Sequence, residues 1–267
     1  MPMRFFTSIL FFLTLSLGRV SAQSTIIHSA SRVYHFDDSK VYLGANDFVW
    51  GSGYSSLQAH ALQVSGGSGY FVTNGSGELR YYLKPNLLGS VSSVHEITQR
   101  FLVGNSSINA VTITNNSDNA STYSIRVDDL IKSQGVTGTS ITTDAVSRTW
   151  SISADVANSG SGIDLTLEWD DAQELSGLAN PMIHCYDADA GTWKIVPTGT
   201  HGILTENGTN NSLTLNNYSG TLSGTQYFSV QSAEPPTATD VTTTAFPNGT
   251  IQINLSATDP NYSSGSL

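Results

Sequence analysis

The octet Ile163-Asp164-Leu165-Thr166-Leu167-Glu168-Trp169-Asp170 alternates apolar and polar residues throughout. A period of two places all four apolar side chains on one side of an extended chain, so the octet predicts a strand with one buried and one wet face. The same period returns at Tyr123, Ile125 and Val127, at Val146, Trp150 and Ile152, at Leu213 and Leu215, and at Phe228 and Val230. Between these lie Asn115-Asn116-Ser117-Asp118-Asn119, Asn158-Ser159-Gly160-Ser161-Gly162 and Asn207-Gly208-Thr209-Asn210-Asn211, all turn-forming clusters. No long amphipathic helix competes, and the best local candidate is Asp170 to Leu178. Residues of about 96–232 therefore predict one antiparallel β-sandwich of roughly seven strands or more. Trp150, Trp169 and Trp193 fit its core or core edge, with an exposed aromatic platform for sugars as the competing reading.

Upstream, residues 23–95 carry shorter apolar pairs separated by glycines. Val41 and Leu43 precede Gly44, Phe48 and Trp50 precede Gly51, Leu62 and Val64 precede Gly66-Gly67, and Tyr70 and Val72 precede Asn74-Gly75-Ser76-Gly77. Leu79, Tyr81 and Leu83 follow. Strands this short cannot each bury much surface, so they predict a small β-roll or short β-solenoid stacked on the sandwich.

Downstream, Pro235-Pro236 cannot continue a ladder of backbone hydrogen bonds, which marks residues 233–240 as a linker. Residues 241–267 then offer two strand-like runs around Pro247-Asn248-Gly249, too little for a sandwich module of roughly 100 residues. The expectation is the opening of an incomplete repeat, and hence the amino-terminal part of a longer protein.

Composition adds where the chain works. Residues 1–22 combine a basic start at Arg4, the apolar run Phe5 to Leu17, and the small-residue site Val20-Ser21-Ala22. That is the layout of a secretory signal peptide, with cleavage expected between Ala22 and Gln23. A membrane anchor would need roughly 20 apolar residues, more than this run supplies. Losing Arg4 and Arg19 leaves nine basic against 21 acidic residues, a net charge of −12 on the mature chain. A surface of that sign repels phosphate, which disfavours nucleic-acid partners. Cys185 is the single cysteine, so no intrachain disulfide is available and the fold must rest on its apolar core. With 12% charged residues, the wet faces must be built from hydroxyls and amides.

Catalytic motifs are sparse. His95-Glu96 lacks the second histidine of a helical zinc site, and Gly66-Gly67-Ser68-Gly69-Tyr70 lacks the closing glycine of a nucleophile elbow. Glu168, Asp170, Asp171 and Glu174 are the best candidates for paired carboxylates of the glycosidase kind. Yet Glu168 and Asp170 fall on the wet face of their strand, where a solvated role is simpler. Asp187-Ala188-Asp189-Ala190-Gly191 places two carboxylates two residues apart before a glycine, oxygen donors of the sort calcium accepts. It departs from a calcium loop in its glycine position and its missing closing glutamate. A hairpin turn between strands at Ile183 to Tyr186 and Trp193 to Val196 accounts for it with fewer assumptions. The remaining histidines, His28, His35, His60, His184 and His201, show no metal-ligand spacing, and Asn-x-Ser/Thr triplets such as those at Asn105, Asn207 and Asn254 follow from composition.

One resemblance covers about residues 40–232. Tyr70-Phe71-Val72-Thr73-Asn74-Gly75-Ser76-Gly77-Glu78-Leu79, Arg100-Phe101-Leu102-Val103-Gly104 and Ala110-Val111-Thr112-Ile113-Thr114-Asn115 resemble a pattern in large secreted surface proteins of Bacteroidetes-type bacteria. Ser147-Arg148-Thr149-Trp150-Ser151-Ile152 and Leu165-Thr166-Leu167-Glu168-Trp169-Asp170-Asp171-Ala172 continue it. The resemblance implies a β-rich module ahead of tandem cadherin-like or immunoglobulin-like repeats, in proteins of the type IX secretion class. Pro235 to Pro260 resembles the start of one such repeat, and Asp259 matches a position where such a repeat places a calcium-facing or turn aspartate. These motifs are structural and bring no catalytic residue with them.

The combined expectation is an all-β chain: a leader, a β-roll or solenoid, a sandwich, and a truncated cadherin-like or immunoglobulin-like repeat. Its expected function is non-catalytic structural or adhesive work at the cell surface, with extracellular matrix or glycan partners and no cofactor beyond possible calcium at Asp187, Asp189 and Asp259. The alternative is a carbohydrate-binding module that presents Trp50, Trp150, Trp169 or Trp193.

Overall fold

The computed structural model describes residues 25–27, 40–50, 69–85, 97–233, 237–238 and 257–258, with the backbone alone at 25–27, 50, 237–238 and 257–258. In chain order the strands are β1 (Thr25–Ile27), β2 (Lys40–Tyr42), β3 (Phe48–Trp50), β4 (Tyr70–Val72), β5 (Leu79–Leu83), β6 (Thr98–Phe101), β7 (Val103–Gly104), β8 (Val111–Asn115) and β9 (Ser121–Asp128). Then come β10 (Lys132–Gln134), β11 (Thr137–Ser140), β12 (Thr149–Ala154), β13 (Ile163–Asp170), β14 (Pro181–Asp187) and β15 (Thr192–Ile195). The last are β16 (Thr200–His201), β17 (Thr205–Asn207), β18 (Asn210–Tyr218), β19 (Gln226–Ser232), β20 (Thr237–Ala238) and β21 (Ala257–Thr258).

Two large sheets face each other across one core. The first runs β1-β3-β5-β9-β12-β19-β14-β15, and the second runs β16-β18-β13-β8-β6 with β17 also on β18. The alternating octet is β13, which buries Ile163, Leu165, Leu167 and Trp169 against Tyr123, Ile125, Val127, Trp150, Ile152, Phe228 and Val230 of the other sheet. The opposite face of β13 carries hydroxyls and ions: Thr166 and Thr214 share a hydrogen bond of 2.9 Å, as do Thr98 and Thr114. In β18 the pattern slips by one residue between Leu215 and Tyr218, yet both are buried. Asn217 takes φ 55° there, and its backbone N–H donates to Asp164 Oδ1 at 2.9 Å. A bulge with an asparagine in the left-handed region lets two apolar residues three apart face the same core.

The expected β-roll or solenoid ahead of an antiparallel sandwich is corrected by the pairing. β1, β3 and β5 join the first sheet in parallel, and β5 pairs antiparallel with β9, Leu79 opposite Ile125. β2, β4 and β7 form a three-stranded parallel sheet, with Phe71 opposite Val103. Each sheet is an open path with two ends, so none closes into a roll, and the fold is all-β with mixed parallel and antiparallel pairing. The physical reason is burial. Short strands gain little from one another, but joined to the sandwich this region contributes Leu43, Phe48, Phe71, Leu79, Tyr81 and Leu83 to its core.

Two successive turns, after β2 and after β4, lead into β3 and β5, and this forces the parallel pairs Lys40 with Tyr70 and Phe48 with Leu79. The turns touch each other: a Cβ on Gly75 would collide with the carbonyl oxygen of Gly44, and one on Gly77 with that of Asn46. The glycines that punctuate this part of the sequence therefore serve close backbone approach. On the other side of the small sheet, Tyr70, Val72, Leu102 and Ala110 make a second apolar cluster.

Hairpin β10–β11 lies over the outer face of the first sheet, where Gly135 meets the ring of Tyr227 and the Lys132 carbonyl accepts from Trp193 Nε1 at 2.7 Å. Of the segment expected to open a further repeat, β20 pairs antiparallel with β21. The leader, the cleavage site at Ala22 and Gln23, the Pro235-Pro236 pair, Asp259, His28, His35, His60 and His95 lie outside the described residues. Among the described residues no helix is long and apolar enough to cross a membrane.

Candidate functional site

The acidic group around the end of β13 is occupied by structural partners. Glu168 receives two hydrogen bonds from Arg100, Nε at 2.7 Å and Nη2 at 2.6 Å, across to β6. Asp170 caps a single 3-10 turn at Asp171–Gln173 by accepting from the backbone of Ala172 at 2.9 Å. That turn is all that forms of the short helix the sequence offered at Asp170 to Leu178. Asn211 Nδ2 donates to Asp171 Oδ1 at 2.7 Å and to Glu174 Oε1 at 2.8 Å, and the latter oxygen also accepts from Trp169 Nε1 at 2.8 Å.

Beside this turn sits the main buried polar cluster, centred on Arg148. Its Nε donates to Asn109 Oδ1 at 2.9 Å, its Nη1 to the carbonyls of Asp129 at 3.0 Å and Ser147 at 2.7 Å, and its Nη2 to Ser107 Oγ at 3.1 Å. Asn109 and Ser107 are tied in turn to Gln173, and the Asn109 carbonyl accepts from Trp150 Nε1 at 3.2 Å. Burial pulls the Arg148 guanidinium below its ordinary range while Asp129, 3.6 Å away, opposes that shift. The cluster joins loops from both sheets and leaves its donors matched, which is how a buried cation is tolerated.

The tryptophans of the sugar-platform reading separate. Trp150 and Trp169 are interior, 0% and 1% exposed. Trp193 is half-buried, packed edge-on against Tyr186 with centroids 5.6 Å apart and held by Lys132. For Trp50 the strand backbone alone is described.

Of the aspartates expected for calcium, Asp187 and Asp189 lie at the β14–β15 turn. Asp187 Oδ1 accepts from the backbone of Asp189 and Ala190, both at 3.0 Å, and Oδ2 from Lys194 Nζ at 2.6 Å. Gly191 closes the turn at φ 68°. The Lys194 hydrogen bond, then that of Ala190, hold the Asp187 carboxyl below its usual range. Asp189 is exposed beside it. Among the described residues no three His, Cys, Asp or Glu side chains gather as a metal would need.

Next to this turn is an open depression of about 420 Å³, lined by Tyr186, Asp189, Lys194, Thr225, Gln226 and Tyr227 among others. Cys185 also borders it, and burial followed by Asp187 pushes the thiol up to about 11, so it stays protonated at neutral pH and is a poor nucleophile. On the same strand, burial draws the His184 imidazole down to about 4. His201 accepts from the backbone N–H of Ile183 at 3.4 Å and meets the Val196 carbonyl at 3.4 Å. Both histidines thus serve the β14 backbone.

Sequence reasoning reached the turn but missed Tyr186, Gln226 and Tyr227. β14 and β19 pair with Cys185 opposite Phe228, which brings residues about 40 apart in sequence onto neighbouring strands. Compared with family models, with curated proteins and with solved structures, the chain finds no match.

Proposed function

We propose that the chain is a non-catalytic structural or adhesion protein of the cell exterior, the amino-terminal platform of a larger multidomain surface protein. The observation that carries this reading is the use of the carboxylates. Glu168 is held by Arg100, Asp171 and Glu174 by Asn211, and Asp187 by Lys194. Groups matched in this way stiffen loops, and a general acid or nucleophile needs a carboxylate turned to a substrate instead. The leader at 1–22 and the acidic, hydroxyl-rich surface support an exported location. A carbohydrate-binding role through a row of tryptophans draws no support from Trp150 and Trp169, whose rings have no free face.

The test is export followed by an activity screen. The full chain is produced with its leader, cells are fractionated, and the amino terminus of the mature product is sequenced. Material outside the cytoplasm that begins at Gln23 supports the reading. An intact leader on a cytoplasmic product would overturn it, as would hydrolysis of chromogenic glycosides that is lost in Glu174→Gln.

A further inference from the structure

We infer that His201 is an acid-operated latch: its neutral imidazole replaces a missing rung between β14 and the residue after β15, and its protonation frees the crossing from the first sheet to the second. The inference does not rest on the function proposed above.

At the end of the β14–β15 ladder the Val196 N–H donates to the Ile183 carbonyl at 3.1 Å. Residues facing each other in this way across an antiparallel pair normally exchange two bonds, the second running here from the Ile183 N–H to the Val196 carbonyl. Instead the Ile183 N–H donates to His201 Nδ1 at 3.4 Å, and His201 Nε2 meets the Val196 carbonyl at 3.4 Å. The ring stands inside the rung, and the backbone fixes its chemistry. An N–H can only donate and a carbonyl only accept, so Nδ1 carries the lone pair and Nε2 the proton. Only the neutral ring satisfies both, because a second proton on Nδ1 sets N–H against N–H.

The latch closes a weak place. His201 belongs to β16 of the second sheet, opposite Leu215 of β18, while β15 belongs to the first, so the chain from Val196 to Gly199 passes from one sheet to the other. Val196 is buried in the core. Beyond it the crossing is poorly tied. Among the described residues the buried Thr198 hydroxyl has no partner, and the N–H groups of Thr198 and Gly199 make no backbone hydrogen bond. A segment with few bonds of its own opens locally at low cost, so the His201 bridge carries a large part of its hold.

The surroundings set the direction of the response. Burial lowers the His201 pKa, opposed by the bond to the Val196 carbonyl. His184 on β14 is coupled to it, as a like charge when both are protonated. Among the described residues no carboxylate offsets that charge: Asp187 of β14 is paired with Lys194 of β15, and Glu206 of β17 is exposed. Burial keeps Cys185 of β14 and Tyr218 of β18 protonated. With the folded value below the unfolded one, the bridge is whole at neutral pH and is lost as pH falls through the folded value.

The test uses the full mature chain, isotope-labelled for NMR. Imidazole nitrogen shifts report the tautomer, and amide hydrogen exchange, expressed as protection, reports opening. At about pH 7.5 His201 should be the Nε2–H tautomer. As pH falls through the midpoint of the His201 signals, protection of the Ile183 amide should drop by about tenfold relative to Leu167 of β13 and Leu213 of β18. His201→Gln, whose amide accepts and donates without titrating, should flatten this response, whereas His184→Gln should keep it. An Nδ1–H tautomer at neutral pH overturns the inference, as does a protection ratio that stays constant while His201 titrates, or global unfolding before His201 takes up its proton. A response that survives in His201→Gln or vanishes in His184→Gln overturns it too. Should His201→Gln fail to fold, the tautomer and the protection ratio of the unaltered chain decide.

Discussion

Arg148 Nε lies 2.9 Å from Asn109 Oδ1, and the pair bridges the two sheets beneath Trp150. Removing the arginine takes the donor from the buried Asn109 Oδ1 and from the Asp129 carbonyl. Arg148→Met is expected to cost about 3–5 kcal/mol, read as a shift in the urea midpoint. Arg148→Lys should recover little, since an ammonium cannot reach Asn109, Ser107 and the Asp129 carbonyl from one plane. Asn109→Ala added to Arg148→Met should cost less than the two separately.

A pH dependence follows from His184. Burial keeps it neutral in the fold, at about 4 against an ordinary 6.5. The unfolded chain takes up a proton first as pH falls, so the contribution is whole above pH 6.5 and is lost towards pH 4, up to about 3 kcal/mol. His201, also lowered by burial, acts in the same direction. Denaturation midpoints of the unaltered chain and of His184→Gln, measured at pH 7, 5.5 and 4.5, should differ in slope, with the variant flatter.

The stacked turns after β2 and β4 predict an asymmetry among glycines. Gly75→Ala drives a methyl group into the Gly44 carbonyl and is expected to cost about 1–3 kcal/mol. Gly224→Ala meets no heavy atom within 4 Å and should stay within about 0.5 kcal/mol of the unaltered chain. Thermal melts of the two variants side by side decide it.

Two carboxylates close in sequence should behave differently. Glu168 pairs with an Arg100 that is half exposed, so Glu168→Gln is expected to cost below about 1 kcal/mol, a loss that 1 M salt erases. Glu174→Ala leaves the indole N–H of interior Trp169 without its acceptor and should cost about 1–3 kcal/mol at either salt concentration. Unfolding curves at low and high salt separate the two.

Much of the sandwich was legible because its strands are long and alternate. Ile163–Asp170 could be read residue by residue, since the period of two shows directly which side chains enter the core. Three-residue strands carry no such period. Lys40–Tyr42 and Phe48–Trp50 gave their existence away through flanking glycines but not their partners, because parallel pairing is set by residues about 30 positions distant. The same limit hid the candidate site. Tyr186 and Tyr227 become neighbours only through the β14–β19 pairing, while Asp187, conspicuous in sequence, proved to serve its own turn.

The position of β19 bears on how the molecule is made. Although it is the last long strand among the described residues, it lies inside the first sheet, between β12 and β14. Before residue 232 leaves the ribosome, Trp150 on β12 and Ile183 on β14 have no strand between them, and each flanking edge is an open template. The chain is therefore born incomplete in the middle rather than at its end, and completion is a single late insertion that closes both edges at once. Until that moment it is a client for whatever shields nascent strands, and a stall anywhere before Gln226 would release an aggregation-prone half.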